Sequence, residues 1–432
     1  MILRNENNMI VFLEKVRVKT IFSIIDPVKV EPLELCYLKT VLNNMNVESY
    51  IIDDLFGFKN PNEIKPDIIV LTGYNTAENE IIKKSKIYKI KYPNVIIIAG
   101  GVHVQENAES FRVKTIDYIF HSCSLATFKL LIGNIIIMDN NPLKSGVDTL
   151  QNEKWHIGKK ESIRENENIV PDREFFYKAK SKFRYLDKKN TTIIKGSTGC
   201  PYNCSYCYCK LLNNNQYIKP NYEVMIEEMK NLAADYYWIV DDVLFSNRED
   251  ALDFIEIIES KNLSIKIIAY LRADFICREK DLLKRLRKVG LREVIVGFEA
   301  TDNKELKSYK KTTDAMDYPL VISLLKENNI DLTALFMVKP DYGLKEFRLL
   351  NNFIKENNID VYTISIMTPV KGTMLYKEME RRLIEKRPVK FDFLHLVLKP
   401  KLPKFIFYIL FYSLHIRLLK SKRIRKFIRQ EI

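Results

Sequence analysis

Three cysteines within a stretch of eight residues constrain this chain more than any other feature. Cys200, Cys204 and Cys207 form a C-x-x-x-C-x-x-C pattern that directly follows the strand-like run 192–196. Three thiolates on one short loop can bind three irons of a four-iron cluster and leave the fourth iron open. An open iron can bind a substrate or a cofactor, so the loop is expected to face a cavity.

Other kinds of cysteine site fit this spacing less well. A structural zinc site uses four protein ligands, usually in two separated pairs, and the sequence holds no second C-x-x-C and no histidine pair. Cys209 is close, but a fourth bond from the same loop would be crowded. A bacterial ferredoxin run needs a different spacing and a fourth cysteine followed by proline. Three buried cysteines without a metal remain the plain alternative, since free cysteine packs as a small apolar residue.

The composition is that of a soluble globular protein. With 432 residues, the chain has room for two domains and a tail, and an apolar content of 47% can build ordinary cores. Seven cysteines, an odd number, fit reduced thiols and a metal site better than a disulfide framework. Cys36, Cys123 and Cys277 lie in apolar runs and are expected in the core. The first residues show no basic segment followed by a long apolar one, so a cytoplasmic protein is expected.

The first 133 residues alternate short apolar runs with amphipathic stretches, the pattern of βαβ units around a parallel sheet. Ligands of such sheets lie at the carboxyl ends of the strands, where Thr72-Gly73 and Gly100-Gly101 fall. Paired glycines there let a flat macrocycle approach the backbone closely, although a tight turn explains them equally well. The predicted helices are Leu35–Asn44 and Glu80–Tyr92, and the predicted strands are Val18–Ile25, Val47–Ile52, Ile68–Leu71, Val95–Ile98 and Ile116–Phe120.

A second series of six strand–helix units follows a polar, irregular linker over residues 134–190. Six units predict an incomplete barrel, whose chemistry lies at the carboxyl ends of its strands. Cys200, Asp241, Arg272 and Glu299 all fall at such ends. Asp241 with Asp242 is equally often a helix cap, and Arg272 and Glu299 can each belong to a structural ion pair at the barrel mouth. The predicted strands are Thr192–Gly196, Tyr237–Val240, Ile265–Tyr270, Glu293–Gly297, Asp331–Val338 and Val361–Met367.

With Tyr206 directly before its last cysteine, the triplet resembles that of the radical S-adenosylmethionine (SAM) enzymes. Four later segments resemble the motifs of one large subgroup, in order: 238–242, 271–274, 294–300 and 368–373. The resemblance implies that Cys200, Cys204 and Cys207 hold a [4Fe-4S] cluster that cleaves SAM to a 5′-deoxyadenosyl radical. It also implies that Tyr206 flanks the adenine, that Arg272 and Glu299 contact the carboxylate and ribose of SAM, and that Asp241 and Asp242 are catalytic.

The N-terminal part resembles the cobalamin-binding domain of the same subgroup, through segments 31–38, 65–73, 95–103 and 171–173. The resemblance implies a cobalamin site that includes Thr72, Gly73, Gly100, Gly101 and His103. The chain lacks the Asp-x-His-x-x-Gly run of proteins that bind cobalamin through a lower histidine. It also has His-Ser-Cys-Ser at 121–124 in place of a usual Gly-Glu pair. Either cobalamin binds without a histidine, or the domain has lost its cofactor.

The net charge of +14 is concentrated at the C-terminus, where residues 399–432 hold ten Lys and Arg against one acid, Glu431. The apolar stretch within this segment is shorter than the about 20 residues of a bilayer span. A helix in a membrane interface, with Lys420, Lys422, Arg423, Arg425 and Lys426 on anionic headgroups, is one interpretation. A helix docked on the barrel is the other. Nucleic acid is a weaker partner, since the aromatic residues are not interleaved with the basic ones.

These observations predict an α/β protein with four parts: a Rossmann-like cobalamin-binding domain (1–133), a linker (134–190), a partial (β/α)6 TIM-type radical SAM barrel (191–385) and a basic helical tail (386–432). The predicted function is cobalamin-dependent methylation of an unactivated carbon. The alternatives are a radical cyclase or ring-remodelling enzyme, and a non-enzymatic sensor. The expected partners are a small-molecule, lipid or peptide substrate, an electron donor such as flavodoxin or ferredoxin, and a membrane met peripherally by the tail.

Overall fold

A computed structural model describes residues 9–18, 26–60, 64–139 and 141–431 of the chain. The first half is built on a seven-stranded sheet with the order β3-β1-β4-β5-β6-β7-β8. The first five of these strands pair in parallel, and β7 and β8 add an antiparallel edge. Its strands are β1 (Ile10–Lys15), β3 (Glu48–Ile52), β4 (Ile68–Thr72), β5 (Ile96–Gly100), β6 (Tyr118–Phe120), β7 (Val147–Gln151) and β8 (Lys154–His156).

Three helices connect parallel strands: α1 (Leu33–Asn44), α2 (Glu78–Lys91) and α3 (Val102–Asn107). A fourth, α4 (Leu125–Ile136), leads from β6 to the antiparallel β7. The predicted Rossmann-like arrangement is confirmed, with two differences. The sheet extends beyond residue 133, because β7 and β8 form within the stretch predicted to be irregular. Of the predicted strand 18–25, residues 19–25 lie outside the described part of the chain.

The strand β1, which lies between β3 and β4 in this sheet, was not predicted, because two charged residues interrupt its apolar run. Both are buried. Glu14 accepts a hydrogen bond from the Tyr88 hydroxyl at 2.7 Å and pairs with Lys84, and Lys15 pairs with Glu34. Buried charges are tolerated where they are paired in this way. Sequence pattern alone therefore hid a buried strand.

The second half is an open barrel of six parallel strands in sequential order. Within the described residues, β16 does not pair with β11, so the predicted incomplete barrel is confirmed. Its strands are β11 (Thr191–Ile194), β12 (Tyr236–Ile239), β13 (Ile267–Tyr270), β14 (Leu291–Glu299), β15 (Asp331–Val338) and β16 (Val361–Ile366). A small antiparallel sheet pairs β2 (Val28–Lys29), from the first half, with β9 (Arg184–Tyr185), which in turn pairs with β10 (Lys188–Lys189), just before β11.

Helices of the second half follow the strands, several of them beginning at a side-chain cap such as Asn221, Asn247 or Asp302. They are α5 (Glu174–Ala179), α6 (Tyr222–Asn231), α7 (Arg248–Ser260), α8 (Ala273–Arg278), α9 (Leu283–Lys288), α10 (Asn303–Ser308), α11 (Tyr318–Glu327), α12 (Leu344–Glu356), α13 (Met374–Met379), α14 (Lys404–Ile416) and α15 (Lys422–Glu431).

The C-terminal helices dock on the barrel. The Tyr362 hydroxyl of β16 donates to the Leu414 carbonyl of α14 at 2.6 Å. Arg423 of α15 donates to Glu293 at the start of β14 (2.8 Å) and to Asp187 (3.0 Å), and Lys426 pairs with Asp187 at 3.2 Å. The prediction that Arg423 and Lys426 face lipid headgroups is therefore wrong, because the carboxylates of Glu293 and Asp187 bind these two side chains. None of the described helices is long and apolar enough to cross a bilayer.

A buried arginine joins the two halves. Arg173 donates to Glu31 (2.7 Å), which precedes α1, to Glu228 of α6 (2.9 Å), and to the Ile193 carbonyl of β11 (2.9 Å). Burial by itself lowers the pKa of Arg173, but the carboxylates of Glu228 and Glu31 outweigh this effect. The net pKa lies above its ordinary value, so the guanidinium remains charged. An apolar cluster that includes Phe56 and residues of both halves surrounds this junction.

We expect Arg173→Gln to destabilise the protein by about 3–5 kcal/mol, because the substitution leaves two buried carboxylates without a cation. Arg278→Gln is the matched control, since Arg278 is 53% exposed and its surface ion pair contributes about 0–1 kcal/mol. Urea unfolding followed by circular dichroism measures both. Equal losses in the two variants would show that the buried junction adds nothing to stability.

Candidate active site

The loop that carries the three cysteines lies at the carboxyl end of the barrel sheet. It leaves β11 through Gly199, whose φ is +73° and whose close approach to a neighbouring carbonyl excludes a side chain. Two backbone hydrogen bonds between Thr198 and Ile218, of 3.1 and 2.9 Å, close the base of the loop. The Ser205 amide donates to the Tyr309 carbonyl at 2.9 Å, which fixes the far side of the loop on the end of α10.

The thiols of Cys200, Cys204 and Cys207 are partly exposed, whereas Cys209 is buried. Burial raises the pKa of Cys200 to about 11, and a hydrogen bond with Cys209 lowers that of Cys207. No group of three metal-binding side chains among the described residues gathers closely enough for a single ion. A four-iron cluster does not require this, since each cysteine binds a different iron. The loop therefore fits a cluster better than a lone metal ion.

The two acidic residues after β12 have different surroundings. Asp241 is fully buried, and its Oδ1 accepts from the Gly196 and Ser197 amides, both at 2.9 Å. Asp242 is partly exposed and lies against the thiol of Cys209, whose pKa it helps to raise after the larger effects of Cys207 and burial. Asp241 thus supports the end of β11, and of the two only Asp242 faces the cysteine loop.

Arg272, at the end of β13, lies beside the cysteine loop. Its guanidinium is 3.8 Å from the centre of the Tyr202 ring, within the loop, and donates to Thr312 Oγ1 at 2.6 Å. It also pairs with Asp274, with hydrogen bonds of 2.9 and 3.0 Å. Arg272 therefore forms a structural ion pair, with Asp274, and also lies at the barrel mouth as predicted. The stacking partner, Tyr202, was not predicted.

Glu299 and Tyr206 meet on the other side of the loop. Glu299 ends β14 with a φ of +67°, in the left-handed region that favours glycine. Burial, and after it the nearby Glu299 carboxylate, raise the pKa of Tyr206, and the Tyr206 ring packs edge-on against Tyr309 at 5.4 Å. Lys311, 3.3 Å from Glu299, is nearly buried and was missed by the sequence analysis. Lys311 follows α10 after a short loop and is part of no recognisable motif, so the sequence gives no signal for it.

A cleft separates the two sheets and opens beside the cysteine loop. Thr72, Gly101 and Phe120, at the carboxyl edge of the first sheet, form one wall. Ser197, Thr198 and Leu212, at the two ends of the cysteine loop, form the opposite wall. The cleft encloses about 1420 Å³, its open mouth included. Both sheets therefore present their carboxyl edges to one space, as ligand sites of such sheets require.

Residues 161–169, which we term the strap, cover one side of the cleft. Asn166 donates to the Gly196 carbonyl at 2.8 Å, and the Ile163 amide donates to Asn213 Oδ1 at 2.7 Å. Glu167 accepts from the first two amides of α4, at 2.8 and 2.9 Å. The strap thus connects the first domain to the barrel. Sequence analysis placed this segment in the linker and assigned it no part in the site.

The three glycines predicted to form part of the cobalamin site differ in why the structure needs glycine at each position. Gly101 has a φ of +104°, and a side chain there would lie 2.2 Å from Thr72 Oγ1. Gly100 lines the cleft, yet a side chain would make only ordinary contacts with Phe120, at 3.5 Å. Gly73 lies outside the cleft lining and packs against Ala77. Gly101 is therefore required by its own backbone conformation and by the neighbouring Thr72, and both Gly100 and Gly101 line the cleft.

His103 is engaged within the first domain. Its Nε2 lies 2.7 Å from Glu78 Oε2, and its Nδ1 lies 3.2 Å from Asn107 Nδ2. The segment 121–124 reaches the cleft instead, where Cys123 donates to Asn213 at 3.0 Å. No histidine of the described residues lines the cleft.

Comparison with known proteins agrees with this architecture. The profile of the radical SAM superfamily matches residues 194–370. Hopanoid C-3 methylase of Methylococcus capsulatus is 23% identical over 354 residues, which cover 80% of this chain and 67% of that protein. Anaerobic magnesium-protoporphyrin IX monomethyl ester cyclase of Synechocystis is 24% identical over 281 residues, which cover 61% of this chain and 54% of that protein.

Among solved structures, the methyltransferase TsrM of Kitasatospora setae, with cobalamin and a [4Fe-4S] cluster bound, superimposes with a TM-score of 0.69 at 15% identity. The match covers 90% of this chain and 82% of TsrM, so the two share a fold over both halves. The chain contains a radical SAM domain at residues 194–370. The likeness to TsrM shows that the first half shares the fold of that protein as well.

The role of Asp241 can be separated by two substitutions. Asp241→Ala removes the acceptor of two buried amides and should destabilise the protein by about 1–3 kcal/mol. Asp241→Asn keeps that acceptor and removes a carboxyl group whose pKa burial raises above its usual 3.8. A raised pKa favours folding below pH 3.8 and opposes it as the group ionises at higher pH. The stability of Asp241→Asn relative to wild type should therefore rise with pH from that value.

Denaturant unfolding of both variants across this pH range measures the effect. A loss in Asp241→Asn as large as in Asp241→Ala, or a relative stability that falls with pH, would contradict the assigned role.

Proposed function

We propose that the chain is a cobalamin-dependent radical SAM enzyme that methylates an unactivated carbon atom. The position of the cleft carries this proposal. Its two walls are the carboxyl edge of the first sheet, with Gly101, and the ends of the cysteine loop, with Thr198 and Leu212. A cofactor held by the first domain therefore lies against the loop. The naming of one relative as a C-3 methylase, and of TsrM as a methyltransferase with cobalamin bound, supports methyl transfer.

In this proposal Cys200, Cys204 and Cys207 are the cluster ligands. When bound, the [4Fe-4S] cluster, SAM and cobalamin supply a hydrogen-abstracting 5′-deoxyadenosyl radical and a methyl group. The pinned backbone of the loop, from Thr198 to Ser205, orients the three thiols toward the barrel mouth. Cys209 is buried against Cys207 and is not a ligand in this arrangement.

The side chains around the loop suit a charged, aromatic ligand such as SAM. Tyr206 and Glu299 would contact its adenosine part, with Lys311 holding the Glu299 carboxylate in place. Arg272, fixed by Asp274 and stacked on Tyr202, would bind the carboxylate. Asp242 would hold a proton or contact the substrate beside the cluster.

The cleft suits cobalamin that binds without a protein histidine. Two of the residues that line it, Gly100 and Gly101, leave the carboxyl edge of the first sheet without side chains where a macrocycle would approach. His103 keeps both ring nitrogens on Glu78 and Asn107. Thr72, whose hydroxyl lies under Gly101, remains the polar group nearest that approach.

A radical cyclase or ring-remodelling enzyme is the second candidate, because the magnesium-protoporphyrin cyclase matches the chain about as well as the methylase. The chain spans about two thirds of the methylase and about half of the cyclase, so the substrate is proposed only by class: a small molecule, a lipid or a peptide. An external reductant such as flavodoxin or ferredoxin would reduce the cluster. We place the enzyme in the cytoplasm, in peripheral contact with a membrane.

Products of SAM distinguish the candidate functions. After anaerobic reconstitution with iron, sulfide and cobalamin, we expect both 5′-deoxyadenosine and S-adenosylhomocysteine to form from SAM, detected by mass spectrometry. 5′-Deoxyadenosine alone would favour the cyclase class. Absence of both products would leave a non-enzymatic sensor and contradict the proposal.

The cluster assignment predicts different results for two neighbouring cysteines. Cys204→Ala should abolish stable cluster loading and SAM cleavage, because one of three iron–thiolate bonds is lost. Cys209→Ala should retain nearly all iron, since this thiol is buried and binds no iron in the proposal. Iron and sulfide per chain are measured after reconstitution. Comparable loss of iron in both variants would refute the three-ligand assignment.

A further inference from the structure

Helix α14 is apolar on both of its faces. Phe407, Phe411 and Leu414 are buried on the barrel, where the Phe407 ring packs edge-on against Phe347 of α12 at 5.3 Å. A surface helix normally carries polar residues opposite its buried face. Here the opposite face, which we term the outer stripe, is also apolar, and its members are 49–71% exposed: Phe405, Ile409, Tyr412, Ile416 and Leu419.

The outer stripe is continuous. Its helical residues are spaced by four, three and four positions, so they follow one line along the helix, and Leu419 extends that line beyond its end. Among the residues that the structure describes, none covers it. Soluble monomers rarely expose connected apolar surface of this kind, and where they do it is usually a contact surface. The stripe therefore needs an occupant.

The charged residues around the outer stripe indicate which kind of surface binds to it. Lys404 and Lys420 stand at the two ends of the stripe, and neither forms a hydrogen bond or ion pair through its side chain with a described residue. No Asp or Glu occurs between Asp392 and Glu431. A second copy packed on the stripe would bring lysines together without an acid to balance them, whereas anionic lipid headgroups would neutralise both.

We propose that the outer stripe of α14 binds the surface of an anionic membrane, with the apolar side chains in the interface and Lys404 and Lys420 on the headgroups. The helix, of 13 residues, is too short to span a bilayer and lies in its plane. The basic helix α15 takes a different part, since Arg423 and Lys426 bind the barrel.

The outer stripe is linked to the barrel mouth, so membrane binding would also position the active site. The Tyr408 hydroxyl of α14 accepts from the Leu396 amide at 2.9 Å, and the Phe393 carbonyl accepts from the Ile366 amide, at the end of β16, at 2.7 Å. One short segment thus connects α14 to the mouth, and its Phe393 and Leu394 are partly exposed. Docking brings the mouth to the bilayer and favours an amphiphilic substrate. That last step rests on the proposed function, whereas the docking itself does not.

Co-sedimentation of the full chain with vesicles tests the proposal without any measurement of activity. Binding should be stronger to phosphatidylcholine mixed with phosphatidylglycerol than to phosphatidylcholine alone, and should fall with salt. The double variant Ile409→Glu with Tyr412→Glu should lose binding to both. The matched control Ile90→Glu with Leu349→Glu places two acids on exposed apolar positions elsewhere and should bind as wild type does.

The charged ends are tested separately. Lys404→Gln with Lys420→Gln should weaken binding to the mixed vesicles about fivefold for each lysine, the equivalent of about 1 kcal/mol. Lys86→Gln with Lys326→Gln, at exposed positions elsewhere, is the control and should have little effect. Circular dichroism and bound iron establish that each variant is folded. If the acidic variant does not fold, Phe405→Ser with Ile416→Ser replaces it.

Three results would overturn the proposal: wild-type protein that does not bind mixed vesicles, binding that the stripe variants leave unchanged, or a wild-type dimer in sedimentation equilibrium that the stripe variants dissociate. The last would assign the stripe to a second copy of the chain. Failure of SAM cleavage would instead bear on the proposed function alone.

Discussion

The position of one short strand, β11, determines how the two halves of this protein meet. Arg173 bonds its Ile193 carbonyl and pairs with Glu31 and Glu228, so a single buried cation joins the first domain, the strand and helix α6. Asp241 holds the other end of the strand through two amides. Because Cys200 lies six residues after Ile194, the last residue of β11, and three after Ser197, both clamps fix where the cysteine loop begins. Buried charges left without partners are costly. Arg173 is paired with two carboxylates, whereas Asp241 uses only Oδ1, since its buried Oδ2 has no hydrogen-bond partner among the described residues.

The need to pair buried charges also explains where part of the positive charge lies. The sequence has a net charge of +14, much of it at the C-terminus. The structure uses part of this excess at the amino ends of the barrel strands, where Glu293 accepts from both Lys188 and Arg423. Lys404 and Lys420 are not used in this way. The tail therefore has two different parts: α15 docks at the amino ends of the barrel strands, and α14 exposes the outer stripe.

Sequence pattern predicted most of the fold because buried parallel strands are continuous apolar runs between turns. The range of β15 was predicted without error. Strand β1 was missed because Glu14 and Lys15 break its run, and only tertiary pairing shows that they are buried. Strands β7 and β8 were missed because they are short and polar and gain their partners from β6.

The sequence predicted those residues of the site that belong to a motif. It did not predict which of two similar residues has which role. Asp241 and Asp242 are adjacent and chemically identical, and only the structure shows that one supports the backbone while the other faces the loop. Gly73 and Gly101 both follow strands, yet only Gly101 requires the conformation of glycine at the cleft. Lys311 and Tyr202 carry no sequence signal, since their role comes from the groups they contact.

The central claim is that one cluster with an open iron forms on the three-cysteine loop and that SAM binds at that iron. Electron paramagnetic resonance of the reduced, reconstituted protein tests it most directly. We predict a signal of one [4Fe-4S] cluster per chain whose g-values change when SAM is added, because the open iron gains ligands. A cluster signal that SAM leaves unchanged, or a signal that requires Cys209 as a fourth ligand, would contradict the claim.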